Sequence, residues 1–530
     1  MEHDPLYPAD VVDAYRQAGL WTDDTFAHFF HDAARRYPQR EAICGPDMHG
    51  NWASLSYQEL ATAIDATAAA LTERGIRGTD YVVIQLPNIV DYVVYVAAVF
   101  RVGAVPVFSL NSHGLAEITH FIRTTSATAY IGSARAGADA AVLQETFPDL
   151  LMITEPAPGC AQASTAQVSN ASAFHPAAPS ALDLAFLQVS GGTTGTPKLI
   201  PRTHADYLYS VRESAKICQL SPQTRFLVVL PASHNFTMSS PGILGVLYAG
   251  GTVVMCDEPA PSAMMAMIAQ HQVTMTALVP PLALMWARLQ PMLQCDLDSL
   301  QLLQVGGAKL TPEAAQRVSQ AIGCQLQQVF GMAEGLVNYT RLHDSHDLVI
   351  NTQGRPMSPA DEIIIVDDNG KEVPLGESGR LLTRGPYTIR RYFNHADPGS
   401  FTEDGFYCTG DIVRQLPTGH LVIEGREKDQ INRGGEKISA EEIENHLLAH
   451  PGINDAAVVS VPDDYLGERC GAFILTEQLT EPEIREHLRK RGVAEYKIPD
   501  VFRIAAEFPF TGVGKISRKD LRRQLQHQFV

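Results

Sequence analysis

Alternation between two hydrophobic periods constrains this chain most. Apolar residues recur at helical spacing from Tyr57 to Gly75, a buried strand reads from Tyr81 to Leu86, Val90–Val102 reads as a helix, and Ala104–Phe108 as a second strand. The rhythm returns downstream, with strands predicted at Phe226–Leu230, Thr252–Met255, Thr276–Val279, Leu302–Val305 and Gln327–Phe330. Such a chain covers its strands by laying helices over mostly parallel sheets, an α/β architecture. Binding loops then belong at the carboxyl ends of the strands. At 530 residues it exceeds a single core, so two or more domains are expected.

The rhythm changes near Gly425-Arg-Glu-Lys-Asp429. Beyond it Ser439-Ala-Glu-Glu442 and Thr480-Glu-Pro-Glu483 read as capping boxes opening helices, with strands predicted at Ala456–Val461 and Cys470–Leu475. The pattern predicts a small α+β domain attached to a large α/β one. Pro156 to Ser180, rich in Ala, Ser and Pro, reads as a loose surface connection.

Composition narrows the partners. A hydrophobic content of 45% describes an ordinary globular chain, and a net charge of -18 disfavours nucleic acid and anionic membranes as partners. An anionic ligand must therefore be captured by local charge. The eight cysteines are scattered without a Cys-x-x-Cys pair, which fits reduced thiols in a cytoplasm. No signal pattern opens the chain, and the longest apolar tract, Tyr92 to Phe108, is broken by Arg101 and Gly103 and is shorter than the ~20 residues of a membrane span. A cytoplasmic protein is expected, with its oligomeric state open.

Leu187-Gln-Val-Ser-Gly-Gly-Thr-Thr-Gly-Thr-Pro-Lys198 is an apolar run that breaks into a loop suited to phosphate. Gly191, Gly192 and Gly195 let the backbone turn its N–H groups toward an anion; Ser190, Thr193, Thr194 and Thr196 add hydroxyls, and Lys198 adds charge. The pattern argues against the Walker form, because Pro197 precedes the lysine and Leu199 follows it, so not all Walker contacts are available. Further motifs follow in order. In Gln327-Gln-Val-Phe-Gly-Met-Ala-Glu-Gly335, Phe330 suits stacking on a base, Gly331 close approach and Glu334 a Mg²⁺ ion. Tyr407-Cys-Thr-Gly-Asp411 offers an acid for ribose hydroxyls. Gly425-Arg426, Asn432-Arg-Gly-Gly-Glu-Lys437 and Thr511-Gly-Val-Gly-Lys-Ile-Ser517 complete the series.

In this order the motifs closely resemble those of the adenylate-forming superfamily, which includes acyl-CoA synthetases, luciferases and the adenylation domains of nonribosomal peptide synthetases. The resemblance implies a large N-terminal domain of two sheet-helix subdomains plus a β-barrel, residues 1–427, and a small mobile α+β domain, residues 428–530. It also implies that Ser190 to Lys198 hold the ATP β- and γ-phosphates and that Gly306, Gly307 and Ala308 border adenine, near Phe330 and Gly331. Asp411 and Arg426 become ribose contacts, Glu334 a Mg²⁺ ligand, and Lys515 the group bridging carboxylate and α-phosphate. Lys428 occupies the hinge position, where many relatives carry aspartate. About that hinge Arg433, Gly434, Gly435 and Lys437 are expected to reach the site for a thiol step. The chain departs from the usual motif at Phe330 and Ala333, where tyrosine and threonine stand in relatives, so two hydroxyls are missing.

Substrate choice rests on Ser233-His-Asn-Phe-Thr-Met-Ser-Ser-Pro-Gly242. Amino-acid adenylation domains usually place aspartate at the position of Asn235; a neutral amide would leave a substrate ammonium buried without a counter-ion, at a cost of several kcal/mol. The segment resembles stand-alone aryl-acid adenylating enzymes of siderophore synthesis, which load 2,3-dihydroxybenzoate or salicylate on an aryl carrier protein. That resemblance implies Asn235 on the 2-hydroxyl, Ser240 on the 3-hydroxyl, and Phe236, Val329, Val337 and Gly307 around the ring. His234 joins Lys515 and Glu334 as the catalytic set. Ser240 and Val337 favour 2,3-dihydroxybenzoate over salicylate. Taken singly, Asn235 is equally compatible with a core amide and Ser240 with a helix cap. An aryl-CoA ligase using free coenzyme A and a silent nucleotide-binding protein stay open as alternatives. The carrier is expected to be a separate protein, since Val530 follows soon after Lys515.

Overall fold

The computed structural model describes residues 5–526, apart from 137, 161–173, 191–196, 435, 464 and 512–514. Four sheets organise it. The largest has nine strands, in the order Arg355–Pro356, Val337–Tyr339, Gln325–Gly331, Leu302–Gly306, Met275–Leu278, Arg225–Val228, Thr252–Met255, Glu41–Pro46 and Trp52–Ser56, with the central strands parallel. A second sheet runs Leu151–Ile153, Ala129–Gly132, Tyr81–Gln85, Val105–Phe108, Leu184–Val189 and Leu199–Thr203.

The two-residue period of the strands explains how these sheets stack. Val82 and Ile84 of the second sheet, together with Val253 of the first, enter one shared core, whereas Val83 and Val254 point away into separate clusters. Helices therefore fill the space between the sheets and cover both outer faces. The helix Val90–Val102 lies in the shared layer with every residue buried, as its apolar residues on all sides require. Its two charged residues are accommodated individually. Asp91 accepts from the backbone N–H of Met48 and of Ala157, both at 2.8 Å, and Arg101 pairs with Asp65 at 2.8 Å. Among the described residues no helix is long and apolar enough to cross a membrane.

The segment expected as a loose connection is anchored at its start. Ala157 and Cys160 are buried, and the Pro158 carbonyl accepts from Thr67, because Asp91 in the apolar layer needs a donor from outside its helix.

A four-stranded antiparallel sheet, Glu362–Val366, Ser378–Arg384, Tyr407–Gln415 and Leu421–Arg426, stands where the β-barrel was expected. After Arg426 a single 3₁₀ turn, Glu427–Asp429, leads into a five-stranded sheet built from residues 430–504, which buries Ala456 and Val458 on one face and Ala457 and Val459 on the other. Thr480 and Glu483 form the reciprocal capping box. Ser439 accepts from the Glu442 N–H, but the Glu442 carboxylate turns to Lys497 at 2.7 Å, so that box is half made.

Candidate active site

Three strand ends and one short helix build a pocket. Val329 lies opposite Tyr339 and Gly331 opposite Val337, so these four share a face, while Phe330 and Asn338 point to the other. Gly306 lies beside Val329 on the next strand. A β-carbon there would sit 2.6 Å from the Val329 carbonyl oxygen and 3.1 Å from the Phe236 ring, so only glycine lets these walls close together. Asn235–Ser239 forms the helix, started by His234, whose ring nitrogen accepts from the Phe236 N–H at 3.2 Å. At its end Gly242 has φ +53, with Thr237 O only 2.0 Å from an added β-carbon. Asn235 and Ser240 are both buried. The Asn235 carbonyl accepts from Tyr207 at 2.8 Å, and the Ser240 hydroxyl stands within reach of Tyr339.

A second group of side chains flanks this pocket. Asp411 and Arg426 face each other across antiparallel strands and pair at 2.8 Å, leaving the second oxygen of the buried Asp411 carboxylate without a partner among the described residues. Burial raises that carboxyl above its usual range despite Arg426. An orphaned acceptor beside glycine-lined backbone fits a ribose hydroxyl. Glu334 accepts from Tyr392 at 2.8 Å through one oxygen; the other makes no hydrogen bond among the described residues. No cluster of three or more His, Cys, Asp or Glu able to hold a metal occurs among them. A lone carboxylate suits Mg²⁺ that draws its remaining ligands from phosphates and water.

Lys515 reaches this cleft from the far end of the chain. Its Cε lies 3.2 Å, and its Nζ 3.9 Å, from where a β-carbon on Gly307 would stand, a residue with φ +83. Burial, reinforced by Arg426, lowers its ammonium to about 8, against the pull of Asp411 and Glu334. Burial and Lys515 together press His234 down to about 3. His234 is therefore neutral, and with Nδ1 accepting from Phe236 its proton sits on Nε2.

Not every expected residue joins this group. Gly191, Gly192, Thr193, Thr194, Gly195 and Thr196 lie outside the described residues, as does Gly435. The base of their loop is described: the Ser190 N–H donates to the Lys198 carbonyl, and the Lys198 N–H donates to the Ser190 hydroxyl, both at 2.9 Å. The Lys198 ammonium pairs with Asp397 and lies 4.7 Å from the Tyr392 ring centre. Ala308 is exposed. Phe330 packs with Leu336, Leu381 and Val413 against the four-stranded sheet. Arg433 is held by Asp500 and Lys437 by Asp368, Gly434 turns between their strands with φ +59, and Lys428 follows Arg426 in the 3₁₀ turn.

The structure adds residues that local sequence did not mark. Tyr207 and Tyr339 back Asn235 and Ser240, Tyr392 links Lys198 to Glu334, and the fully buried Arg202 donates to the Ala333 carbonyl at 2.8 Å while pairing with Asp206. Tyr207 sits on a helix that also carries Asp206, Arg212, Glu213 and Lys216, and Tyr392 follows Arg390 and Arg391, so no local pattern sets them apart.

A family model described as AMP-binding enzyme matches residues 30–393, and one described as AMP-binding enzyme C-terminal domain matches residues 442–515. The chain is 49% identical to a 2,3-dihydroxybenzoate-AMP ligase of Bacillus subtilis over 99% of this chain and 98% of that protein. It is 44% identical to a vibriobactin-specific 2,3-dihydroxybenzoate-AMP ligase of Vibrio cholerae, over 98% and 97%. Its fold superposes on the apo structure of MbtA from Mycobacterium smegmatis with a TM-score of 0.72, 42% identity and 98% coverage of both chains. With the family model spanning most of the chain and these relatives aligned almost end to end, the chain belongs to the AMP-binding enzymes.

Proposed function

We propose that this chain joins 2,3-dihydroxybenzoate to the AMP moiety of ATP, releasing pyrophosphate. It then passes the aryl group to the phosphopantetheine thiol of an aryl carrier protein in siderophore synthesis. The observation that carries the reading is Lys515 beside Gly307, in one cleft with His234, Glu334, Asp411 and the Asn235 pocket. The names of the Bacillus and Vibrio relatives support the acid.

A carboxylate is a poor nucleophile toward an anionic phosphate. As its oxygen bonds to the α-phosphorus and the bond to pyrophosphate breaks, the Lys515 ammonium offsets charge on both reactants. Neutral His234 presents an N–H to the same cleft without adding a further charge. Asp411 and Arg426 hold the ribose, and Ser190, Lys198 and the loop between them hold the departing phosphates. Glu334 would hold Mg²⁺, which supplies further charge neutralisation at the phosphates. For the thiol step, residues 428–530 turn about Lys428, withdrawing Lys515 and bringing Arg433, Gly434, Gly435 and Lys437 to the adenylate. The free state of all eight cysteines supports a cytoplasmic setting.

Acid-dependent pyrophosphate exchange tests the reading across 2,3-dihydroxybenzoate, salicylate, benzoate and amino acids. The dihydroxy acid is expected to give the highest kcat/KM, with salicylate second. Preference for salicylate would move the substrate assignment, and no exchange with any aryl acid would overturn the function. Thioester formation on free coenzyme A without loading of a carrier protein would replace the acceptor.

A further inference from the structure

Asn235 is bonded on one side only. Its carbonyl oxygen accepts the Tyr207 phenol proton at 2.8 Å, whereas its amide nitrogen makes no hydrogen bond among the described residues and is not occluded. Tyr207 is itself held firmly. It is fully buried, its ring meets Phe186 edge-on at 4.6 Å, and the Arg202 guanidinium lies 4.8 Å from its centre. The Ser239 hydroxyl beside it makes no hydrogen bond among the described residues and so does not compete for the phenol proton. The phenol proton is then committed to Asn235.

We propose that Tyr207 is a specificity-determining positioning residue, which locks the Asn235 amide so that the pocket offers an N–H donor, never an acceptor, to the ortho substituent of the acid. The inference rests on the aryl-acid reading above and goes beyond it by assigning the polarity of the contact.

The chemistry of ortho-substituted benzoates makes that polarity selective. A 2-hydroxyl donates its one proton to the neighbouring carboxylate, so its oxygen lone pairs face outward and can accept from Asn235. A 2-amino group of similar size also donates one proton to the carboxylate, but its second N–H faces outward, against the Asn235 N–H. Two donors meeting in a buried site leave both unpaired, and this costs far more than the loss of one methylene-sized contact. Removing the phenol hydroxyl frees the amide to turn over and present its oxygen.

Pyrophosphate exchange with salicylate, 2-aminobenzoate and benzoate, in the wild-type protein and in Tyr207→Phe, tests this. Wild type is expected to favour salicylate over 2-aminobenzoate by about tenfold or more in kcat/KM. Tyr207→Phe is expected to narrow that ratio by about tenfold while KM for ATP holds. In Asn235→Leu, adding Tyr207→Phe is expected to leave the ratio unchanged. A ratio unaltered in Tyr207→Phe, or equal loss with all three acids, would overturn the role of Tyr207 while leaving the aryl-acid reading intact. A wild-type protein that activates none of the acids would overturn both.

Discussion

Lys515 is a cation confined with another cation, Arg426, and two acids, and burial lowers its ammonium to about 8. In the role proposed for it the protonated form screens the reacting anions, so kcat/KM for adenylation is expected to fall as pH rises through about 8, and Lys515→Arg to move that limb upward. Lys515→Ala is expected to cost about 10²–10³ in pyrophosphate exchange, as loss of a charge-stabilising donor does elsewhere, and to spare thiol transfer from a supplied adenylate. Equal loss in both half-reactions would contradict a lysine used only in the first. Asp361 titrates in the opposite sense. It lies behind the pocket wall, accepting from Tyr387 at 2.7 Å while Tyr387 accepts from the Val337 N–H at 3.2 Å, and burial raises its carboxyl to about 7. Its folded value exceeds its unfolded one, so the folded state binds the extra proton. Stability is therefore expected to decline as pH climbs from about 4 to 7 and to level off above. Tm measured over that range should lose part of its slope in Asp361→Asn.

At the scale of elements, patterning predicted what local physics decides. Val90–Val102 forms as expected because a helix buried on all sides shows its length in its apolar run. Thr252–Met255 is likewise a strand of four buried residues. Other strands differ from expectation at their ends, where pairing with a neighbour, not composition, sets the last residue. Gly306 shows what an element can hide. Its neighbours in sequence do not reveal that the Val329 carbonyl and the Phe236 ring close on it from two other elements. Gly306→Ala is expected to destabilise the protein by about 1–3 kcal/mol and to raise KM for the aryl acid more than KM for ATP. Chemical denaturation and initial rates would show both effects, and an unchanged acid KM would remove Gly306 from the pocket.

Across the whole molecule, a set of ion pairs holds the last hundred residues where Lys515 meets the cleft. Lys309, just beyond Gly306 and Gly307, pairs with Glu441 at 3.3 Å and donates to the Ile423 carbonyl at 2.5 Å. Lys437 pairs with Asp368 at 2.7 Å, and Arg491 lies 3.6 Å from Glu313. Lys309–Glu441 is the most shielded of the three, so it is the least screened by solvent. Glu441→Gln is expected to slow adenylation several-fold while thiol transfer holds or quickens, because under the proposed domain turn it loosens only the arrangement that presents Lys515. Slowing of both steps together would show instead that the pair supports folding alone.

The sequence by itself determined the α/β class, the order of the motifs and the chemical types gathered in the cleft, because helix and strand periods, glycine loops and single charged residues act through neighbours along the chain. Tertiary structure alone decided which of those residues meet. Lys515 lies against Gly307, Asp411 keeps one oxygen without a partner among the described residues, and Lys437 points to Asp368. It also decided the polarity of Asn235, since that amide is oriented by a tyrosine 28 residues away on another helix. Such a contact depends on two surfaces closing over one another, and no local pattern encodes it.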